Sequence, residues 1–108
     1  MSPGDVVIGE FPGAHITKTR PAVVLSTAEY QRHRPDVVLG LITTKSSGRI
    51  YPTDYEIRNW QEAGLHFPSI FRLFLVTLLQ RHQRVIGRLT DRDWHEVQAR
   101  LNRGLSVA

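Results

Sequence analysis

Asp36-Val37-Val38-Leu39-Gly40-Leu41-Ile42-Thr43-Thr44 is the stretch on which the fold turns. Branched and aliphatic residues dominate it, so it reads as a β-strand. Gly40 inside that run predicts a bulge or a close backbone approach, the device by which a small barrel curves its sheet. Upstream, Pro21-Ala22-Val23-Val24-Leu25-Ser26 is a short continuous apolar run, the pattern of a buried strand, with Pro21 at its first position. Residues 27–35 are polar and hold at most a short helical turn. Asp5 to Phe11 forms a first strand that Pro12 and Gly13 end, and the polar segment from His15 to Arg20 reads as a loop.

Downstream, Lys45 to Pro52 is a flexible loop, Tyr55 to Ile57 a short strand, and Asn59 to Gly64 one helical turn closed by its glycine. Ser69 to Leu79 and Val85 to Leu89 read as further strands. Asp91 to Arg103 is a helix. Thr90 caps it, and Asp91, Asp93 and Glu96 lie near the positive end of its dipole. Trp94, Val97 and Leu101 share one face, Arg100 and Arg103 lie near the negative end, and Gly104 stops it. Some five short strands followed by one helix predict a mainly-β fold with a C-terminal helix, a small partly open barrel.

The 108 residues show no repeat, low-complexity tract or linker, so a single domain spanning 1–108 is expected. A hydrophobic fraction of 41% supports one modest core. No apolar stretch approaches the roughly 20 residues of a membrane helix; the longest, Ile70 to Leu79, is interrupted by Arg72 and Thr77. The first residues lack the basic region and apolar core of a signal peptide. Cysteine is absent, which excludes disulfide and thiolate chemistry and makes a cytoplasmic location the default expectation. The net charge is +4, and Lys18 and Lys45 are the only lysines among the 14 basic residues. Arginine grips phosphate bidentately and keeps its charge, so the balance fits a nucleic-acid binder, although codon bias would give the same composition. His15, His33, His66, His82 and His95 show no metal-ligand spacing, and no Gly-rich phosphate loop is present. No metal or cofactor is therefore expected. Trp60 and Trp94 are possible base-stacking residues, but Trp94 falls on the apolar face of the helix and reads as core.

Two segments go further. Gly4-Asp5-Val6-Val7 followed, after a gap, by Lys18-Thr19-Arg20-Pro21-Ala22-Val23-Val24-Leu25-Ser26, and then Leu41-Ile42-Thr43-Thr44-Lys45, resemble the MazF/PemK family of type II toxin–antitoxin endoribonucleases. Ser69-Ile70-Phe71-Arg72 and Ile86-Gly87-Arg88-Leu89-Thr90 add to the resemblance. It implies a dimeric SH3-like barrel, cleavage of single-stranded RNA, and a cognate antitoxin that blocks the site. The chain departs from better-known members in two places: His15-Ile16-Thr17-Lys18-Thr19 lacks a glutamate common before Arg-Pro, and Phe74 stands where some members have aspartate. The general base is left open.

RNA carries its own nucleophile, the 2′-hydroxyl, so a protein needs a fixed cation, a hydroxyl or amide donor and a proton carrier. The resemblance assigns the cation to Arg20, which at a pKa above about 12 is no general base, and the hydroxyl to Thr43. Neighbouring strand residues point to opposite faces, so only one of Thr43 and Thr44 is expected in the site, with Thr44 as the fallback. His15 is the proton carrier of choice because histidine titrates near neutrality. Lys18, Lys45 and Arg72 are candidate phosphate contacts. Arg72 interrupts an apolar strand and must leave the core or find a partner. The runner-up function is a non-catalytic nucleic-acid binder, or a gyrase poison of the CcdB kind, on the same barrel.

Overall fold

Val6 and Val7 are adjacent in the chain, both fully buried, and belong to different apolar clusters. Successive strand residues face opposite sides of a sheet, so this sheet carries a core on each face. The computed structural model describes residues 1–12, 17–46 and 48–107. Its elements are β1 (Asp5–Pro12), β2 (Thr17–Val24), α1 (Ala28–His33), β3 (Asp36–Thr44), β4 (Tyr55–Glu56), β5 (Ser69–Leu79), a 3-10 turn at Gln80–His82, β6 (Arg84–Arg88) and α2 (Asp91–Gly104). Among the described residues six strands form one sheet in the order β4-β5-β3-β2-β1-β6. Every neighbouring pair is antiparallel, and the sheet curls into a half-barrel.

One cluster gathers Val6, Val23, Ile42 and Phe71 from the strands under Val97, Trp94 and Leu101 of α2. The other joins Val7, Phe11, Ala22, Val24, Val37 and Leu39 on the opposite face. Gly40 does both things its sequence position suggested. The register between β3 and β5 shifts between Gly40 and Ile42, and a Cβ on Gly40 would lie 2.4 Å from Phe71 Cε1. Only glycine lets the large Phe71 ring sit there.

Two expectations need correction. Residues 17–20 are strand, not loop: β2 starts at Thr17, and Lys18, Thr19 and Arg20 pair with Phe11, Glu10 and Gly9. The β1–β2 ladder runs on beyond the last β2–β3 pair as a two-stranded arm that still contributes the buried Phe11, while the exposed Lys18 and Thr19 suit its solvated face. Pro21 accordingly stands inside the strand opposite Ile8 rather than opening it. On its other side the ladder to β3 has already ended at Ala22, which leaves an open side for the missing N–H.

The helix begins as expected: the Thr90 hydroxyl accepts the Asp93 N–H at 3.3 Å. Asp93 does more than complement a dipole. It is fully buried, and its carboxylate accepts the Arg58 N–H at 3.2 Å, the Asn59 N–H at 2.8 Å and the Tyr55 hydroxyl. Burial first, and the bond to Asp93 second, push the Tyr55 hydroxyl well above the ordinary tyrosine range. One side chain on α2 thereby fastens β4 and the start of the following turn.

Asp93→Ala would orphan three donors, each costing about 1–3 kcal/mol when left buried without a partner. A loss of about 3 kcal/mol or more in urea unfolding is expected, with a smaller loss for Tyr55→Phe. Because the folded Tyr55 pKa is raised, its contribution is complete below the unfolded tyrosine pKa of about 10 and declines as pH climbs above it. Wild-type stability should therefore fall more steeply at alkaline pH than that of Tyr55→Phe. An Asp93→Ala protein as stable as wild type would show that the carboxylate does not hold these elements.

Candidate functional site

β2 and β3 form ladder pairs at Val24–Leu39, Val23–Gly40 and Ala22–Leu41, and the described ladder then stops. Continued in register, it would set Arg20 opposite Thr43. Instead Arg20 stays paired with Gly9 of β1, while Thr43 and Thr44 stay paired with Ile70 and Ser69 of β5. A cavity of about 270 Å³ lies where the two strands part, and Thr19, Arg20, Thr43 and Thr44 line it. The sheet thus holds each group on a paired strand while leaving room between them.

The remaining wall comes from a segment distant in sequence. Gly64, Leu65, His66, Phe67 and Ser69 also line the cavity. They follow the turn after β4, in which Ala63 N–H donates to Asn59 C=O at 3.2 Å and Leu65 N–H to Trp60 C=O at 3.1 Å. Gly64 turns the chain at φ +86°, and a Cβ there would lie 2.3 Å from the Ile86 carbonyl oxygen. A Cβ on Gly87 would lie 2.1 Å from the Ala63 carbonyl oxygen. Two facing glycines therefore seat the turn directly on β6. Beyond it, Lys45 N–H donates to Pro68 C=O at 2.8 Å and the Ser69 hydroxyl to Phe67 C=O at 2.7 Å. These bonds hold residues 66–69 as a crest beside the end of β3.

Arg20 is half-buried, and among the described residues its side chain forms no ion pair and no hydrogen bond. The described polar lining consists of this guanidinium, threonine and serine hydroxyls and the His66 imidazole, with no carboxylate. A half-enclosed cation without a counter-charge attracts an anion, and a guanidinium beside hydroxyls suits a phosphate. Among the described residues no three His, Cys, Asp or Glu side chains could hold a metal ion together.

The structure brings Arg20 and Thr43 to one cavity. Thr44 lines it as well: the expectation that only one threonine reaches the site gives way because the cavity opens at the strand end, where both sides of β3 are accessible. Lys18 is exposed on the β1–β2 arm outside the cavity. Lys45, also outside, is paired with Glu56 at 2.7 Å. Arg72 points elsewhere and lies 3.9 Å from the buried Asp54 carboxylate, which supplies the partner its position demanded. His15 falls outside the described residues. Sequence reasoning did not place His66, Phe67 or Ser69 in the site: His66 was weighed only as a metal ligand and Ser69 only as the start of a strand and family motif, with Gly64 nearby recognised as a turn terminator.

A curled antiparallel sheet with a C-terminal helix on one face and a cationic, hydroxyl-lined cavity between parted strands defines a mainly-β half-barrel. The chain belongs to the PemK-like, MazF-like toxins of type II toxin-antitoxin systems, whose family model matches residues 2–105. No curated protein sequence matches. The fold is shared with solved structures of low identity. An endoribonuclease in complex with its cognate antitoxin from a mycobacterial species is 18% identical, with a TM-score of 0.73, over 100% of this chain and 99% of that one. MazE-MazF (Form-III) from Deinococcus radiodurans is 20% identical over 98% of both chains, with a TM-score of 0.76. The Mycobacterium tuberculosis toxin MazF-mt6 is 22% identical over 92% of this chain and 93% of that one, with a TM-score of 0.73.

Proposed function

We propose that this protein is an endoribonuclease that cuts single-stranded RNA by attack of the substrate's own 2′-hydroxyl. The observation that carries the reading is the uncompensated Arg20 guanidinium sharing a cavity with the Thr43 and Thr44 hydroxyls. Family membership supports it, as does a fold-mate that is itself an endoribonuclease. The 2′-oxygen forms a bond to phosphorus as the bond to the 5′-oxygen breaks. The 2′-proton passes to a base, and the departing 5′-oxygen takes up a proton. The upstream fragment then ends in a 2′,3′-cyclic phosphate and the downstream one in a 5′-hydroxyl. Arg20 neutralises the charge growing on the phosphoryl oxygens, and Thr43 donates a hydrogen bond, with Thr44 its neighbour at the same mouth. Lys18 and Lys45 serve as outer phosphate contacts, Lys45 exchanging Glu56 for RNA. Arg72 remains with Asp54. Because the nucleophile belongs to the substrate, the reaction needs no metal.

The proton carrier is a histidine. His66 lines the cavity, and His15 belongs to the connection that leads into β2. A neutral imidazole accepts the 2′-proton, so cleavage rises with pH as the carrier gives up its own proton.

The protein acts in the cytoplasm as a homodimer. Among the described residues β5 pairs with β4 only at Ile70 and Phe71, which leaves the rest of that edge without a strand partner, and Phe74 beyond it is 58% exposed. Such an edge gives a second copy a place to pair. A cognate antitoxin lays a segment over the Arg20 cavity and competes with RNA.

Arg20→Ala should fold normally and lose on the order of a hundredfold or more in single-turnover cleavage, the scale for one lost transition-state donor. Arg20→Lys should recover part, because a point charge does not reproduce the guanidinium fork. Thr43→Ser should outperform Thr43→Val. Cutting should persist in excess EDTA, and RNA with a 2′-deoxy sugar at the cleaved position should bind and resist. Wild-type rates in both folded Arg20→Ala and Thr43→Val would overturn the assignment, and binding without cleavage would make the protein a nucleic-acid-binding module.

The acting histidine is identified by pH profiles of His15→Gln and His66→Gln. The variant that removes the carrier should lose both rate and the rise with pH. If both keep the wild-type profile, no histidine acts. Sedimentation at tens of micromolar protein, well above the dissociation constants of specific dimers, should show a dimer, and saturating antitoxin should abolish cleavage. A monomer, or undiminished cleavage, would refute the corresponding partner.

A further inference from the structure

Across the 66–69 crest from the Arg20 cavity lies a larger groove of about 690 Å³. Pro68 faces this groove, while its neighbours Phe67 and Ser69 face the first cavity. Arg58 and Trp60, from the turn after β4, form one part of its lining, and Arg92 and Arg100 of α2 another. Its carboxylates are already engaged: Asp54 faces Arg72 at 3.9 Å, and Glu56 holds Lys45 at 2.7 Å. Arg100 is engaged too, by Glu96 and by the Tyr55 ring 5.0 Å away. Among the described residues Arg92 donates only to the neutral Asn59 Oδ1, at 3.0 Å. The Arg58 guanidinium forms no hydrogen bond or ion pair among the described residues, although its backbone N–H is held by Asp93. Among the described residues the groove therefore keeps two arginines that form no ion pair. Aromatic surface lies on both sides of the crest: Trp60 is half-buried in the groove wall, and Phe67, 62% exposed, lines the first cavity. Unpaired arginines beside accessible aromatic rings match a single-stranded nucleic acid, which offers phosphates to the first and base faces to the second.

We propose that the Arg58–Arg92 groove is a second subsite for single-stranded RNA, which holds nucleotides flanking the bond cut at Arg20, with Phe67 stacking a base between the two. The inference deepens the ribonuclease reading and rests on it for the identity of the strand. The groove adds affinity to longer strands, whereas a strand confined to the Arg20 cavity does not reach it.

The test measures binding of oligoribonucleotides of about four and about twelve nucleotides, each with a 2′-deoxy sugar at the mapped cleavage position. Circular dichroism confirms the folding of the exposed double variant Arg58→Ala/Arg92→Ala. Wild type should bind the longer strand at least tenfold more tightly, and the double variant should lose most of that gain. Its slope of log affinity against log salt should become shallower by about 1.4, the value for two phosphate contacts on a single strand. Phe67→Ala should weaken binding of the longer strand without changing the slope. A wild type that gains nothing from length overturns the inference, as does a double variant with undiminished length gain and salt slope. Loss of antitoxin affinity alone, with RNA binding intact, also overturns it and assigns the groove to the protein partner. Failure of wild type to cut unmodified RNA would count against the ribonuclease reading only, since the same binding comparison then runs on the unmodified strands.

Discussion

The buried Asp93 carboxylate is the interaction on which the geometry of this protein depends. A helix laid on a sheet by apolar contacts alone retains freedom to slide, because those contacts are non-directional. Asp93 removes that freedom by accepting directional bonds from Tyr55, Arg58 and Asn59 while Val97 beside it enters the core. The short β4, with only Tyr55 and Glu56 in its ladder, would otherwise have little to hold it. The Asn59–Gly64 turn that follows starts from this anchor, and Gly64 and Gly87 then seat it on β6.

The crest matters because it completes a cavity that the sheet opens. Pairing β2 and β3 to their ends would close the space between Arg20 and Thr43. The sheet avoids this by committing the end of β2 to β1 and the end of β3 to β5, so both strands remain hydrogen-bonded while they separate. The functional groups stand on paired strands rather than on loops, which favours a pre-organised site. Among the described residues the Arg20 guanidinium in this cavity has no ion-pair partner. Arg72 and Lys45 illustrate the opposite outcome, since Asp54 and Glu56 neutralise them.

Glycine permits the close approaches that this arrangement needs. Gly40 admits Phe71 beneath the bend of β3, and Gly64 with Gly87 brings the turn onto β6. Side chains at these places would push the sheet or the crest outward and widen the cavity between them.

Much of the fold was legible along the chain. Runs of branched residues marked β1, β3, β5 and β6 to within a few positions, and Gly40 announced the bend. Thr90 and the stripe of Trp94, Val97 and Leu101 marked α2, whereas Gly104, expected to stop it, is its last helical residue and Leu105 is the C-cap. These signals are local, because strand propensity, helix periodicity and capping act over a few residues. The order of motifs around Arg20 and Thr43 identified the family for the same reason. The sequence alone therefore determined the elements, the basic character and the leading candidate residues. Only the tertiary structure decided that Lys18 to Arg20 continue a strand, that Arg72 turns to Asp54, that Asp93 is an internal anchor, and that His66 and Phe67 stand at the site. Each of these depends on partners dozens of residues away or on the opposite strand, and the pairing of distant segments leaves no period in the sequence from which it could be read.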